Sequence, residues 1–103
     1  MAKLNDLNLT FGLSPSQDVV NYRLRIFPTG ATPNPNAVYS APFAEVGTDG
    51  VIDAVEIQGI AGNPDGVFDL YLTALDDGGN ESDYAVKVAV PLDVIAPEPP
   101  TWN

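Results

Sequence analysis

Cysteine and histidine are both missing from the 103 residues of the sequence. Without cysteine there can be no disulfide, no thiolate metal site and no cysteine nucleophile. Without histidine, the commonest general base and the commonest zinc ligand are also missing. We therefore expect a protein that is not an enzyme, and the sequence predicts no catalytic residue and no cofactor.

Basic residues are scarce: four Lys and Arg stand against fourteen Asp and Glu, which gives a net charge of −10. A nucleic-acid surface needs cations to neutralise phosphates, and anionic membranes attract basic segments, so we expect neither partner. No apolar run approaches the roughly 18 residues of a membrane span. The first residues, MAKLNDLNLTF, lack the apolar stretch of a secretory signal.

Alternation of apolar and polar residues dominates the chain. The segment VVNYRLRIF puts Tyr22 and Leu24 on one face and Arg23 and Arg25 on the opposite, exposed face. In the same way, VFDLYLTAL places Tyr71 opposite the core face. In DYAVKVAVPL the alternation favours one face made of four residues, Tyr84, Val86, Val88 and Val90.

No segment has a convincing helical period. We predict strands for AVYSAPFAEV, which Pro42 limits to an edge or bulged strand, and for VIDAVEIQGI, with Val51, Val55 and Ile57 inward. Turns rich in Gly, Pro, Asn and Asp separate these segments. The sequence thus predicts an all-β fold, an antiparallel immunoglobulin-like β-sandwich of about six to seven strands.

A family resemblance adds to this reading. From Gly66 onward, GVFDLYLTALDDGGNESDYAVKVAVPL resembles the last two strands of a bacterial or phage fibronectin type III domain. LNLTF resembles that family's strand B, and DVVNYRLRIF its strand C with Tyr22 in the core. The resemblance implies a β-sandwich over residues 1–93 and a role in adhesion, spacing or recognition, with no catalytic residues.

The sequence departs from the family pattern in several places. Little chain precedes the strand-B segment, so there is little room for a strand A, and Phe68 stands near the usual place of a corner tyrosine. Residues 94–103 form a proline-rich tail that looks like the entry into the strand A of a next domain. This tail is either a linker stub or a contact element for a protein partner or a second copy, through Pro97, Pro99, Pro100 and Trp102. A third alternative is that Trp102 folds back onto its own domain.

The acidic stretch ALDDGGNESD allows two interpretations. It is a turn, because Asp and Asn bond their own backbone and Gly tolerates positive φ. Alternatively it is a weak calcium site, because its side chains carry the oxygens that calcium binds, although their spacing is not that of an EF-hand. The five candidate ligands are Asp76, Asp77, Asn80, Glu81 and Asp83.

Two functions remain open. The first is a non-catalytic structural or interaction module, such as a phage capsid-decoration or tail accessory protein, at an extracellular or virion surface. The second is a carbohydrate- or protein-binding accessory module cut from a secreted enzyme or adhesin. Sugar recognition would use exposed aromatic rings, for which Tyr39, Phe43 and Tyr71 are the candidates.

Overall fold

The computed structural model describes residues 8–61, 65–93 and 99–102. The described part contains six strands and two short helices. In chain order they are β1 (Asn8–Thr10), β2 (Val19–Pro28), α1 (Pro35–Ser40), β3 (Ala44–Glu45), β4 (Val51–Asp53), α2 (Ala54–Ala61), β5 (Asp65–Asp76) and β6 (Ala85–Asp93).

The strands form two antiparallel sheets, which confirms the predicted β architecture at that level. One sheet pairs β1 with β4, and the other has the order β3-β2-β5-β6. The two sheets share one apolar core. Tyr22, Leu24 and Leu70 of the larger sheet are buried in the same cluster as Ile52 of β4 and Ile57 of α2.

The pairing of β2 with β5 is the longest ladder, running from Val19 opposite Asp76 to Pro28 opposite Phe68. Both strands are buried on both faces over their central residues. Leu24 faces the core at 0% exposure, while Arg25, on the opposite face, is also at 0%. The predicted exposure of Arg25 is therefore wrong, because α1 and the turn after β5 cover that second face.

The predicted strand AVYSAPFAEV is wrong over its first half, which is helix α1. Asn34 caps this helix, since its side chain accepts a hydrogen bond from the Ala37 backbone N–H at 2.9 Å, and Pro35 occupies the first turn. The helix ends at Ser40, just before Pro42, which cannot continue it. Only Ala44 and Glu45 pair as a strand.

The predicted strand VIDAVEIQGI is also wrong beyond its third residue. Asp53 and Glu56 form a capping box: the Asp53 side chain accepts from the Glu56 N–H, and the Glu56 side chain accepts from the Asp53 N–H. This reciprocal pair starts α2. The change of period buries Ile57 and leaves Val55, predicted inward, 65% exposed.

Two register shifts alter which residues face the core. The first, between Val19 and Asn21, turns Val20 outward. The second lies where Phe68 and Leu70 pair with Val90 and Lys87; there Ala89 has a φ of 55° and donates its N–H to the buried Asp69 carboxylate. Val90 is buried, but Val86 and Val88, which alternation places on the same face, are exposed.

We predict that Leu24→Ala destabilises the fold by about 2–5 kcal/mol, because Leu24 is fully buried in the shared core. Val55→Ala is the matched control. It removes an exposed side chain from a helix and should change stability by less than about 0.5 kcal/mol. Urea unfolding of both variants checks this, and equal losses would contradict the described core.

Candidate functional site

A buried cation organises the second face of the larger sheet. Nη1 of Arg25 lies 2.6 Å from one carboxylate oxygen of Glu81, and Nη2 lies 3.4 Å from the other. Nη1 also contacts the Thr73 hydroxyl, which donates its own hydrogen bond to Glu81. Nη2 donates to the Tyr39 backbone carbonyl at 3.4 Å, so the same side chain links β2, β5, α1 and the turn after β5.

Arg23 is a second, more exposed cation beside this pair. It lies 3.4 Å from Glu81 and 3.8 Å from Glu45 of β3. The ring of Phe43 covers both guanidinium groups, at 4.3 Å from Arg23 and 5.2 Å from Arg25. Such stacking shields the charges from water and strengthens their ion pairs.

Glu81 is the anion of the cluster, and its carboxylate is largely shielded by the cations and by Thr73. Partial burial alone would raise its pKa. Hydrogen bonds from Arg25 and Thr73, together with the positive charges of Arg25 and Arg23, outweigh burial and hold the pKa of Glu81 below its ordinary value. Glu81 is therefore negatively charged at neutral pH, as the buried guanidinium requires.

Asp76 holds the acidic turn by bonding its own backbone. Its carboxylate accepts the N–H groups of Gly78 and Asn80 at 2.9 and 2.8 Å, and the Asn80 side chain at 3.1 Å. These bonds, the one from the Asn80 backbone first, hold the pKa of Asp76 below its ordinary value. Gly79 has a φ of 83°, which this turn requires and which glycine readily adopts.

The five calcium candidates do not converge on one point. Asp76 faces its own turn and Glu81 faces the arginines, while Asp77, Asn80 and Asp83 are exposed. Within the ranges 8–61, 65–93 and 99–102, no group of three acidic, His or Cys side chains could hold a metal ion. The geometry matches the turn interpretation of this stretch.

The three aromatic candidates for sugar stacking also do not form an open platform. Tyr71 is buried at 6% exposure, so its predicted outward position is wrong; Phe27 and Tyr84 pack against its ring. The Tyr39 hydroxyl donates to the Ser82 carbonyl, and Phe43 stacks on the arginines. Of the three, Tyr39 and the 40% exposed Phe43 lie over the buried Arg25 guanidinium, at 5.8 and 5.2 Å from their ring centroids.

The described end of the tail has a different character. Trp102 is 102% exposed, and Pro99 and Pro100 are exposed as well. Pro97, the fourth predicted contact residue, lies outside the described residues. An indole with no cover is an apolar surface available for contact, and tryptophan is enriched among the residues that dominate protein interfaces.

The cavities beside these features are small. A polar one of about 170 Å³ lies between residues 14–19 and the acidic turn. An apolar one of about 120 Å³ lies between β1 and β6. Both are well below the roughly 300–1,000 Å³ typical of sites for drug-sized ligands, so they suit single side chains better than whole metabolites.

Comparison with known proteins gives no assignment: no family model matches the chain, and neither the curated proteins nor the solved structures provide a match. In the described part of the chain, neither helix has the length and apolar character to cross a membrane.

The Arg25–Glu81 pair was the main feature that the sequence pattern did not reveal. Alternation identifies the residues that share a face, but not whether that face is covered. The available signal was Thr73, a small β-branched residue that stands directly opposite Arg23 in the ladder, on the same face as both arginines. A strand face that carries Thr73 and two of only four basic residues was therefore a candidate for a buried ion pair.

We predict that Glu81→Gln destabilises the protein by about 3 kcal/mol, because it leaves the buried Arg25 charge without its anion. Glu45→Gln is the control: Glu45 is 53% exposed and 3.8 Å from Arg23, so its loss should cost less than about 1 kcal/mol. Chemical denaturation measures both. Similar small losses would show that the buried pair is not formed.

We predict that adding millimolar calcium to protein first stripped of metal with a chelator leaves the melting temperature unchanged. The reason is that Asp76 and Glu81 already accept internal hydrogen bonds. Asp76→Ala should lower the melting temperature equally with and without calcium. A calcium-dependent rise in the parent protein that Asp76→Ala abolishes would contradict the turn interpretation.

Proposed function

We propose that this chain is a non-catalytic interaction module: an immunoglobulin-like β-sandwich of fibronectin type III character that contacts a protein partner through its C-terminal tail. The single observation that carries the proposal is the fully exposed Trp102 in a proline-rich segment. Prolines restrict the unbound chain, so such a segment loses little entropy when it docks.

The sheet order supports the fold assignment within this proposal. If β1 and β2 correspond to strands B and C, then β4, β5 and β6 correspond to E, F and G. An immunoglobulin-like sandwich places B beside E in one sheet and the order C-F-G in the other. The pairs β1–β4 and β2–β5–β6 follow this pattern.

The arrangement of the charged residues favours a protein partner over nucleic acid or anionic lipid. Arg23 and Arg25 are engaged with Glu81, so two of the four basic residues are turned to internal pairs. The acidic surface disfavours nucleic acid and anionic lipid. An assembly role at a virion or other extracellular surface is compatible with a stable domain that presents one contact segment.

The test is site-specific photo-cross-linking in the organism or virion that makes the protein. A benzophenone amino acid placed at position 102 should form discrete protein adducts on irradiation, identified by mass spectrometry. The same group at Thr32, an exposed loop position, is the matched control. No adduct from position 102 beyond those from position 32 would overturn the proposed function.

A further inference from the structure

The core is not closed on all sides, because an apolar crevice of about 120 Å³ opens between β1 and β6. Its floor is made of Leu24, Ile52 and Leu70, which belong to the shared core. Its walls include Leu9, Phe11 and Leu72, which pack against that core but are only partly buried. Apolar side chains thus face a gap that their own described neighbours do not fill.

The crevice lies beside an unpaired strand edge. Among the described residues, β1 pairs with β4 alone, so its other edge has no partner strand. On the opposite side, Ala85, Val86 and Lys87 at the start of β6 are exposed. An extended segment can therefore approach the crevice between these two strands without displacing any described element.

We propose that this crevice receives Trp102 from the tail of a second copy of the chain. This inference rests on the proposed function and adds the identity of the partner and of the receiving surface. In one copy, both Trp102 and the apolar lining of the crevice are accessible to solvent. Contact between the tail of one copy and the crevice of another buries both apolar surfaces. At about 120 Å³ the crevice is somewhat smaller than a roughly 150 Å³ apolar cavity that holds benzene, so it can take the six-membered edge of the indole while the N–H edge stays at the open mouth.

The shape and charge of the tail match the same site. Residues 94–102 have three prolines, an extended backbone preference and one acidic residue, Glu98, four positions before Trp102. Lys87 lines the crevice and is the one basic residue in the C-terminal half of the sequence. A negatively charged tail is therefore attracted by Lys87 at this crevice, whereas the rest of the acidic surface repels it.

The tail of one copy meets the crevice of another. Two copies that exchange tails form a reciprocal, isologous dimer, whereas a head-to-tail contact is heterologous and closes into a ring or propagates as an open chain. Each copy carries a net charge of −10, so copies repel one another at low salt, and salt screens that repulsion over about 10 Å at 0.1 M. We expect weak association that strengthens between about 0.05 and 0.5 M sodium chloride.

The experiment is sedimentation equilibrium of the full-length chain from roughly 10 µM to 1 mM in about 0.5 M sodium chloride. The parent chain should form dimers or larger species. Trp102→Ala should weaken association at least about 30-fold, as expected for an interface tryptophan, and should retain the parent melting temperature because Trp102 is exposed. Ala85→Arg, whose long side chain would block the mouth of the crevice, should weaken it similarly.

Val67→Arg is the matched control, since Val67 is exposed on the same sheet and does not line the crevice. It should associate like the parent chain. Mixing Trp102→Ala, which keeps the crevice, with Ala85→Arg, which keeps the tail, should give a one-to-one complex that is tighter than the association of either variant alone. Circular dichroism of each variant confirms that it is folded.

A parent chain that stays monomeric throughout, or association that Trp102→Ala or Ala85→Arg leaves unchanged, would overturn the proposal. Tryptophan fluorescence detects docking of the tail on its own domain, because Trp102 is the sole tryptophan. A monomer whose emission is blue-shifted, with the shift lost in Ala85→Arg, means that the tail docks on its own domain and also overturns it. Cross-links from position 102 to a different protein would leave the proposed function standing without this partner.

Discussion

The guanidinium of Arg25 is completely buried in a protein of net charge −10, and its neutralisation is the constraint on which the second face of the fold depends. The β2–β5 ladder places Arg25 on the face opposite the apolar core. A buried cation needs a carboxylate at hydrogen-bonding distance, because an unpaired charge is too costly in a low-dielectric interior. Glu81 meets this need from the turn that follows β5, and α1 completes the shell with the Tyr39 carbonyl.

This constraint accounts for the geometry of the most acidic stretch of the chain, whose carboxylates, among the described residues, do not converge on one point. Asp76 closes the turn on its own backbone, and the turn then delivers Glu81 to the arginines. Two of the aromatic candidates for sugar stacking make internal contacts: Phe43 stacks on both guanidinium groups, and Tyr71 is buried among Phe27 and Tyr84. Among the described residues, the apolar crevice beside β1 and the fully exposed indole of the tail remain open to a partner, and for this reason a protein contact is the function that we propose.

Much of the larger sheet could be predicted from the sequence, because β2 and β5 alternate over nearly their whole length and Gly-rich turns bound them. The two helices could not be predicted by period, since six and eight residues give too few turns for a 3.6-residue repeat to stand out. Their signals were local: the Asn34–Pro35 start and the Asp53–Glu56 capping box. The register shifts that expose Val20 and Val88 depend on backbone geometry, which alternation alone does not encode.

The candidate site likewise has features that the sequence predicts and features that depend on tertiary structure. Composition separates the tail from the domain and draws attention to Trp102, and turn chemistry explains Asp76. The burial of Arg25 depends on what covers a face, which is a tertiary property. The crevice depends on which strands lack a neighbour, and that follows from topology rather than from any one segment.

The most direct test of the central claim, that Glu81 is the internal partner of Arg25, is a titration of the Glu81 carboxyl carbon by NMR. The folded-state pKa of Glu81 should lie below that of an unstructured glutamate, because hydrogen bonds and cationic charges outweigh burial. A lowered folded pKa contributes stability above the unfolded pKa, and this contribution is lost as the pH falls through the folded pKa. The account predicts such a low titration, accompanied by loss of stability over that pH range. A Glu81 carboxyl that titrates at or above the unstructured value would contradict it.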